Sequence, residues 1–151
     1  MLQLQSCTAL ELLEIGSSVK SIKYAEILPM TMTNPATITT IVVDVNNQFY
    51  DPLNNCNALI EKEQVDDKGL VISPTTLLLA CKNTVIPDEI EVLDKCSCWG
   101  LCAKNLVCPD SITTIKEGAF QNNTRITRVK LSKKLKVIEE MSFYGCSNIE
   151  L

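Results

Sequence analysis

Length, composition and charge narrow the function classes before any motif is considered. The chain has 151 residues, 46% hydrophobic and only 5% aromatic, and no histidine, so it lacks the commonest general base and neutral metal ligand and suits stacked aliphatic side chains better than one aromatic core. A formal net charge of -4 and a pI of about 4.9 argue against nucleic-acid binding.

Neither the N-terminus nor the apolar runs indicate a leader or a membrane segment. The longest apolar run, at 77–81, has only the length of a strand. The first residues lack a basic segment and place Glu11 and Glu14 where a signal peptide is apolar. Residues 4–7 are faintly similar to a lipoprotein cleavage box. Too few residues precede them to form a lipoprotein signal peptide, which argues against that interpretation. We therefore expect no membrane span and no signal peptide in this chain.

The first third of the chain predicts two strands separated by an irregular segment. The first strand, at 12–15, has Leu13 and Ile15 facing inward and is ended by Gly16. The register is lost over 23–35, where one interpretation places a helical turn at 24–28. β-branched residues at 39–45 predict the second strand.

The middle of the chain predicts a hairpin. A polar connection is expected at 44–57. Residues 56–87 then form the hairpin, with arms at 57–61 and 77–81 and a charged, solvated loop at 61–69.

The last third contains one pattern written twice, 23 residues apart. Its first copy has Ile112, Ile115, Ala119, Phe120, Asn123 and Ile126, and its second has Leu135, Ile138, Ser142, Phe143, Cys146 and Ile149. In the first turn, from Cys7 to Ile22, the repeat positions are separated by the same numbers of residues as in the segment from Asn123 to Ile138. A fixed period of this length is typical of a solenoid, in which the apolar side chains of each repeat stack on those of the next.

A divergent turn precedes these two copies. Ile86, Pro87 and Ile90 match the positions 108, 109 and 112 at a spacing of 22. The middle of this turn, KCSCWGLC at 95–102, has no counterpart of the Ala119-Phe120 pair.

The segment CPDSITTIKEGAFQNNTRITRVKLSKKLKVIEEMSFYGCSNIEL resembles the BspA-like leucine-rich repeats of bacterial surface proteins, whose turn has the form IPxSVxxIGxxAFxxCxxLxxVxL. NNQFYDPLNNCNALIE and LLLACKNTVIPDEI are similar to the hairpin insert of that family. The resemblance implies an α/β repeat solenoid with short parallel β-strands, short helical turns at the Ala-Phe pairs and a β-hairpin insert. We expect a single domain over 1–151, with the insert at about 50–87 and the clearest repeats at 106–151. Since the pattern breaks off after Ile149, we also expect a piece of a longer repeat array.

The eight cysteines admit more than one explanation. An even, high count favours disulfides, but cysteine is also a small buried hydrophobe, and the resemblance implies cysteine at inward positions. Cys56 and Cys81, on the two hairpin arms, are candidates for a cross-strand disulfide or for buried thiols. A second group could hold zinc or a local disulfide, although it lacks paired zinc knuckles and core thiols are the simpler interpretation: Cys96, Cys98, Cys102 and Cys108.

Motifs for metal binding and catalysis are missing from the sequence. The oxygen-rich stretch at 44–57 fails the EF-hand spacing, and turn-forming Asn and Asp explain it. The sequence has no Gly-rich phosphate loop, no GxSxG motif and no Cys/His pair. We expect no enzyme activity, no metal and no cofactor.

Charge is distributed unevenly. Residues 104–136 contain eight basic and two acidic residues, whereas 1–103 contain six basic and thirteen acidic ones. In the strand predicted near 129, Val129 and Leu131 point inward, so Arg128 and Lys130 point outward, and Glu14 takes the equivalent outward position in the first turn. The sequence thus predicts a partner-binding face, here called the basic face: Arg125, Arg128, Lys130, Lys133 and Lys134. Ordinary solvation, or charge pairing between turns or molecules, is the alternative.

The resemblance implies a non-enzymatic cell-surface or secreted module that binds a protein or an acidic glycan. Stacked repeats support this function because their outward residues vary without disturbing the core. The alternative is a structural segment that self-associates end to end through uncapped repeats.

Overall fold

Short strands that stack on one another are the main regular elements of the described residues. The computed structural model describes residues 9–22, 37–53, 56–99 and 101–150. Within these ranges the strands are β1 (Leu12–Ile15), β2 (Thr40–Val43), β3 (Tyr50–Asp51), β4 (Ala58–Glu61), β5 (Gln64–Val65), β6 (Val71–Ser73), β7 (Thr76–Ala80), β8 (Val92–Leu93), β9 (Asn105–Val107), β10 (Thr114–Ile115), β11 (Arg128–Lys130) and β12 (Val137–Ile138). Cys7, the segment 4–7 and the suggested helical turn at 24–28 lie outside the described residues.

Parallel pairing follows the sequence repeat. Leu106 pairs with Val129 in the β9–β11 sheet, and Ile115 pairs with both Leu93 and Ile138 in the β8–β10–β12 ladder. These partners are 22 or 23 residues apart, so equivalent residues of successive turns lie side by side. β1 and β2 form a further parallel pair, whose inward Leu13 and Ile15 are buried as their alternation predicts.

The predicted hairpin arms pair in antiparallel fashion as β4 and β7 and join the repeat ladder. The resulting sheet has the order β12-β10-β8-β7-β4-β3, with β7 parallel to β8. Two details differ from the sequence interpretation. Tyr50 and Asp51, expected in a polar connection, pair with β4 as β3. The segment at 61–69, expected to be a solvated loop, contains β5, which pairs with β6 in a small hairpin. In the turn of this hairpin the Asp66 carboxylate accepts hydrogen bonds from the Lys68 and Leu70 backbone N–H groups at 2.8 and 2.9 Å.

The segments at Phe120 and Phe143 form hydrogen-bonded turns, and the helical turns expected there are not confirmed, since the described residues contain no α-helix. Ala119 N–H donates to Lys116 O at 3.1 Å and Asn123 N–H to Phe120 O at 3.2 Å, which are turn contacts over three residues. Each turn also bonds to the next, since Phe120 N–H donates to Ser142 O at 2.8 Å. The N–H groups of these segments bond three residues back or to the next turn, so they are not available for the i to i−4 bonds of a helix.

Two groups of buried side chains fill the interior. The C-terminal cluster lies under the repeats and contains Phe120, whose ring stacks on Phe143 at 5.1 Å as the repeat register predicts. The N-terminal cluster lies under β1 and β2 and includes Tyr50. β4 and β7 contribute to both clusters and form the wall between them.

The last turn departs from the predicted burial. Leu131 and Ile138, expected to face inward, are 38% and 48% exposed, whereas their equivalents Cys108 and Ile115 in the preceding turn are buried. The following turn covers Cys108 and Ile115. Among the described residues no further turn covers Leu131 or Ile138, which explains the difference.

Candidate functional site

The outward residues of β11 form the centre of the basic face. Arg128 and Lys130 are exposed on either side of the half-buried Val129, as the alternation predicts. On the neighbouring strand β9, Asn105 lies beside Arg128 and Val107 beside Lys130. The two-stranded sheet therefore presents two cations next to one amide and one apolar side chain, all open to solvent.

Lys133 of the basic face makes an inter-turn contact. Its backbone N–H donates to the Asp110 carboxylate at 2.9 Å, and its ammonium lies 3.7 Å from the other carboxylate oxygen. The backbone bond, followed by the Lys133 charge, lowers the pKa of Asp110. Both side chains are exposed, so the ion pair itself adds little stability. The Asp110 carboxylate acts mainly as a cap on the turn at Lys133.

Two further ion pairs join successive turns along the other sheet. Lys95 lies 2.6 Å from Glu117, and Lys116 lies 2.7 Å from Asp94. Charge pairing between turns, the alternative explanation for the lysine-rich segment, therefore accounts for Lys116 and in part for Lys133. Within the described ranges no acidic side chain lies within ion-pairing distance of Arg125, Arg128, Lys130 or Lys134.

A cleft of about 430 Å³ opens beside the basic face, and we call it the β11 cleft. Lys130, Lys134 and Asp88 are among its charged lining residues, and Val107 and Pro109 are apolar lining. Ser111 also lines it. The Ser111 hydroxyl oxygen is buried and has no hydrogen-bond partner within the part of the chain described, which is a rare and costly arrangement in folded proteins.

Sequence reasoning missed Asp88 and Ser111 as site residues. Asp88, Asp110 and Lys133 occur at spacings of 22 and 23. Each follows the same repeat position, which is proline in the first two turns and serine in the third. The period therefore contained a signal that these side chains form one column, but the cleft itself arises only when the turns stack.

The seven cysteines within the described ranges are free thiols. Burial raises the pKa of Cys98 to about 12 and that of Cys108 to about 11. Cys98 occupies the place of Phe120, since its N–H bonds to Ala119 O as Phe120 N–H bonds to Ser142 O. The Cys81 thiol donates to Asn57 O at 3.2 Å. Thiols held neutral and apolar in this way are core residues.

No metal-binding cluster emerges from the residues described. Cys96, Cys98, Cys102 and Cys108 do not converge as a ligand group, and no other three Cys, Asp or Glu side chains in these ranges do so. In the oxygen-rich stretch, Asn47 is buried, and its amide donates to Gly16 O and Val19 O at 2.8 and 3.0 Å. Asn54 and Asn55 lie outside the described residues.

No helix in the described ranges is long and apolar enough to cross a membrane.

Comparisons with known proteins agree with the repeat architecture. No curated protein sequence matches this chain. The crystal structure of the pneumococcal vaccine antigen PcpA matches with a TM-score of 0.72 and 19% identity, over 93% of this chain and 32% of PcpA. A leucine-rich repeat protein from Eubacterium ventriosum matches with a TM-score of 0.58 and 18% identity, over 92% of this chain and 41% of that protein. This chain thus spans less than half of either protein.

The family description that matches is the BspA type leucine rich repeat region, found in six copies over residues 78–151. This range includes the turn at 86–109, whose register the structure continues through Cys96 and Cys98. Residues 78–151 are therefore leucine-rich repeats of the BspA type.

Proposed function

We propose that this chain is a non-enzymatic, cell-surface or secreted module that binds an anionic macromolecule through the basic face. The observation that carries the proposal is the pair Arg128 and Lys130, which project together from β11 without an acidic partner in the described ranges. Cations on a rigid strand are favourable for recognition because their spacing is fixed before binding. The likeness to PcpA, which is described as a vaccine antigen, supports a location outside the cell.

Retention on a heparin column tests this role. Replacing Arg128 and Lys130 together by alanine should lower the salt concentration needed for elution, because two outward charges of one strand are lost. A matched variant with Lys68→Ala and Lys82→Ala loses the same charge from exposed positions elsewhere and should elute close to the parent. Equal shifts in both variants, or no retention of the parent, would reject the basic face as the binding surface.

Self-association is the second candidate function, and one observation favours it. β12 is an edge strand of the six-stranded sheet, and apolar side chains are exposed on and beside it: Val137 at 44%, Ile138 at 48%, Met141 at 56% and Tyr144 at 62%. An open edge with apolar side chains is a template for pairing with another chain. At the first turn Glu14 is outward on β1 in the position equivalent to Lys130, so a head-to-tail contact would bring opposite charges together.

Light scattering over a concentration series decides between the two roles. Self-association predicts a mass that rises with concentration, and Ile138→Glu should abolish the rise because it charges the edge strand. A constant monomer mass with intact heparin retention would leave only the binding role.

A further inference from the structure

The β11 cleft differs from the rest of the basic face because it contains a carboxylate beside the cations. Lys130 and Lys134 line it together with Asp88. Asp110 also lines it, but that carboxylate is already bonded to Lys133. Asp88 would repel a densely sulfated chain, so the cleft as a whole is not built for uniform negative charge.

The lining defines the groups that a ligand needs. Lys130 and Lys134 require an anionic group, Asp88 requires a hydrogen-bond donor, and Val107 and Pro109 require an apolar surface. A uronic acid provides all three on one six-membered ring: a carboxylate, several hydroxyl donors and a face of C–H groups. An acidic peptide separates its carboxylates and its N–H donors over several residues.

We propose that the β11 cleft binds a uronic acid unit of an unsulfated acidic polysaccharide, which deepens the proposed function and rests on it. The uronate carboxylate lies between the ammonium groups of Lys130 and Lys134. A ring hydroxyl donates to Asp88, and the C–H face of the ring rests on Pro109 and Val107.

Ser111 supplies an independent argument. Its hydroxyl oxygen is buried next to the cleft and has no partner in the described chain, although a serine hydroxyl can both donate and accept. A rotation about χ1 of Ser111 is the smallest movement that brings the hydroxyl to a bound sugar. The unsatisfied group would then gain its missing bond on binding.

Calorimetric titration with hyaluronan oligosaccharides, which contain glucuronate and no sulfate, tests the proposal on the whole chain. Asp88→Asn makes the cleft more positive, yet it should weaken binding about fivefold because a charged hydrogen-bond acceptor is lost. Asp67→Asn, at the exposed hairpin tip, makes the same charge change and should leave binding unaltered. Ser111→Ala should weaken binding by a similar factor without lowering the thermal midpoint, since it removes an unpartnered buried hydroxyl.

Three outcomes overturn the proposal. The first is tighter or unchanged binding by Asp88→Asn, which indicates charge attraction alone. The second is unchanged binding by Ser111→Ala, and the third is preference for a polyglutamate peptide over the oligosaccharide. If heparin retention still depends on Arg128 and Lys130 in any of these cases, the proposed function stands and only the uronate assignment fails.

Discussion

One backbone position in the repeat demands an unusual conformation whatever residue occupies it. Cys96, Gly118 and Met141 have φ angles of 52°, 63° and 55°. They are equivalent, because Cys96 N–H bonds to Glu117 O and Gly118 N–H bonds to Glu140 O, the residue before Met141. The left-handed region is strained for residues with a Cβ atom, so two of the three turns carry a local cost.

Met141→Gly should therefore stabilise the chain. The side chain is 56% exposed, so little packing is lost, and relief of the left-handed strain should raise the free energy of unfolding by about 0.5–1 kcal/mol. Urea unfolding followed by circular dichroism measures the change.

The reverse substitution at the equivalent position provides the control. An alanine Cβ at Gly118 would lie 2.9 Å from Gln121 Oε1 and 3.1 Å from Cys96 Sγ, with φ at +63°. Gly118→Ala should be destabilising. A less stable Met141→Gly variant would show that this position is held by side-chain contacts and not by backbone geometry.

At the scale of elements, single polar side chains join one turn to the next. Asn123 is buried, and its amide donates to Cys98 O and to Phe120 O, both at 2.9 Å. In the next turn the Cys146 thiol donates to Phe120 O at 3.1 Å. Cys98 and Phe120 occupy equivalent positions in successive turns. Asn123 therefore makes with its amide the same inter-turn hydrogen bond that Cys146 makes with its thiol.

Asn123→Ala should cost about 2 kcal/mol of unfolding free energy, because the carbonyls of Cys98 and Phe120 each lose one hydrogen bond. Asn123→Cys should cost clearly less, since a thiol already fills the equivalent position in the next turn. Chemical denaturation of the two variants under reducing conditions measures the difference. Equal losses would mean that volume, and not the inter-turn hydrogen bond, fixes the residue at this position.

The sequence predicted the elements whose side chains alternate, and it missed those that depend on contacts between distant segments. Leu13 and Ile15 are buried and Arg128 and Lys130 exposed as the two-residue period requires. β3 could not be predicted, since Tyr50 and Asp51 become a strand only by pairing with β4. The Ala-Phe pairs fit a short helical turn equally well until the inter-turn ladder is known. The period placed Asp88 in a column with Asp110 and Lys133, but the cleft that Asp88 and Ser111 line forms only when the turns stack.

At the scale of the whole molecule, the interior consists of two clusters divided by the hairpin. β7 contributes Leu77 to the C-terminal cluster and Leu79 to the N-terminal one, although residues two apart on a regular strand face the same side. The register of the β4–β7 pair shifts between Leu59 and Ile60, so that Leu59 pairs with Leu79 and Ile60 with Leu77. At this bulge Leu78 is a surplus residue, because it has no partner on β4. The residues after Leu78 therefore face the side opposite to the one that regular alternation from Leu77 would give.

Leu77→Ala and Leu79→Ala form a matched pair that separates the clusters. Both side chains are almost fully buried, so each variant should lose about 2–5 kcal/mol. Hydrogen exchange should show Leu77→Ala releasing the amides of β10 and β12 first, and Leu79→Ala those of β1 and β2. The same exchange pattern in both variants would show that the two clusters open as one cooperative unit.

The surplus residue Leu78 also determines where this chain tolerates changes in length. Removing it would leave Leu77, Leu79 and Ala80 on their present sides of the wall, but it would take the buried Leu78 side chain out of the N-terminal cluster. Removing a residue from the solvent-exposed tip at 66–69 would shorten an excursion that supports no other element. Length polymorphism among close relatives should therefore gather at that tip and spare the strand a few residues downstream.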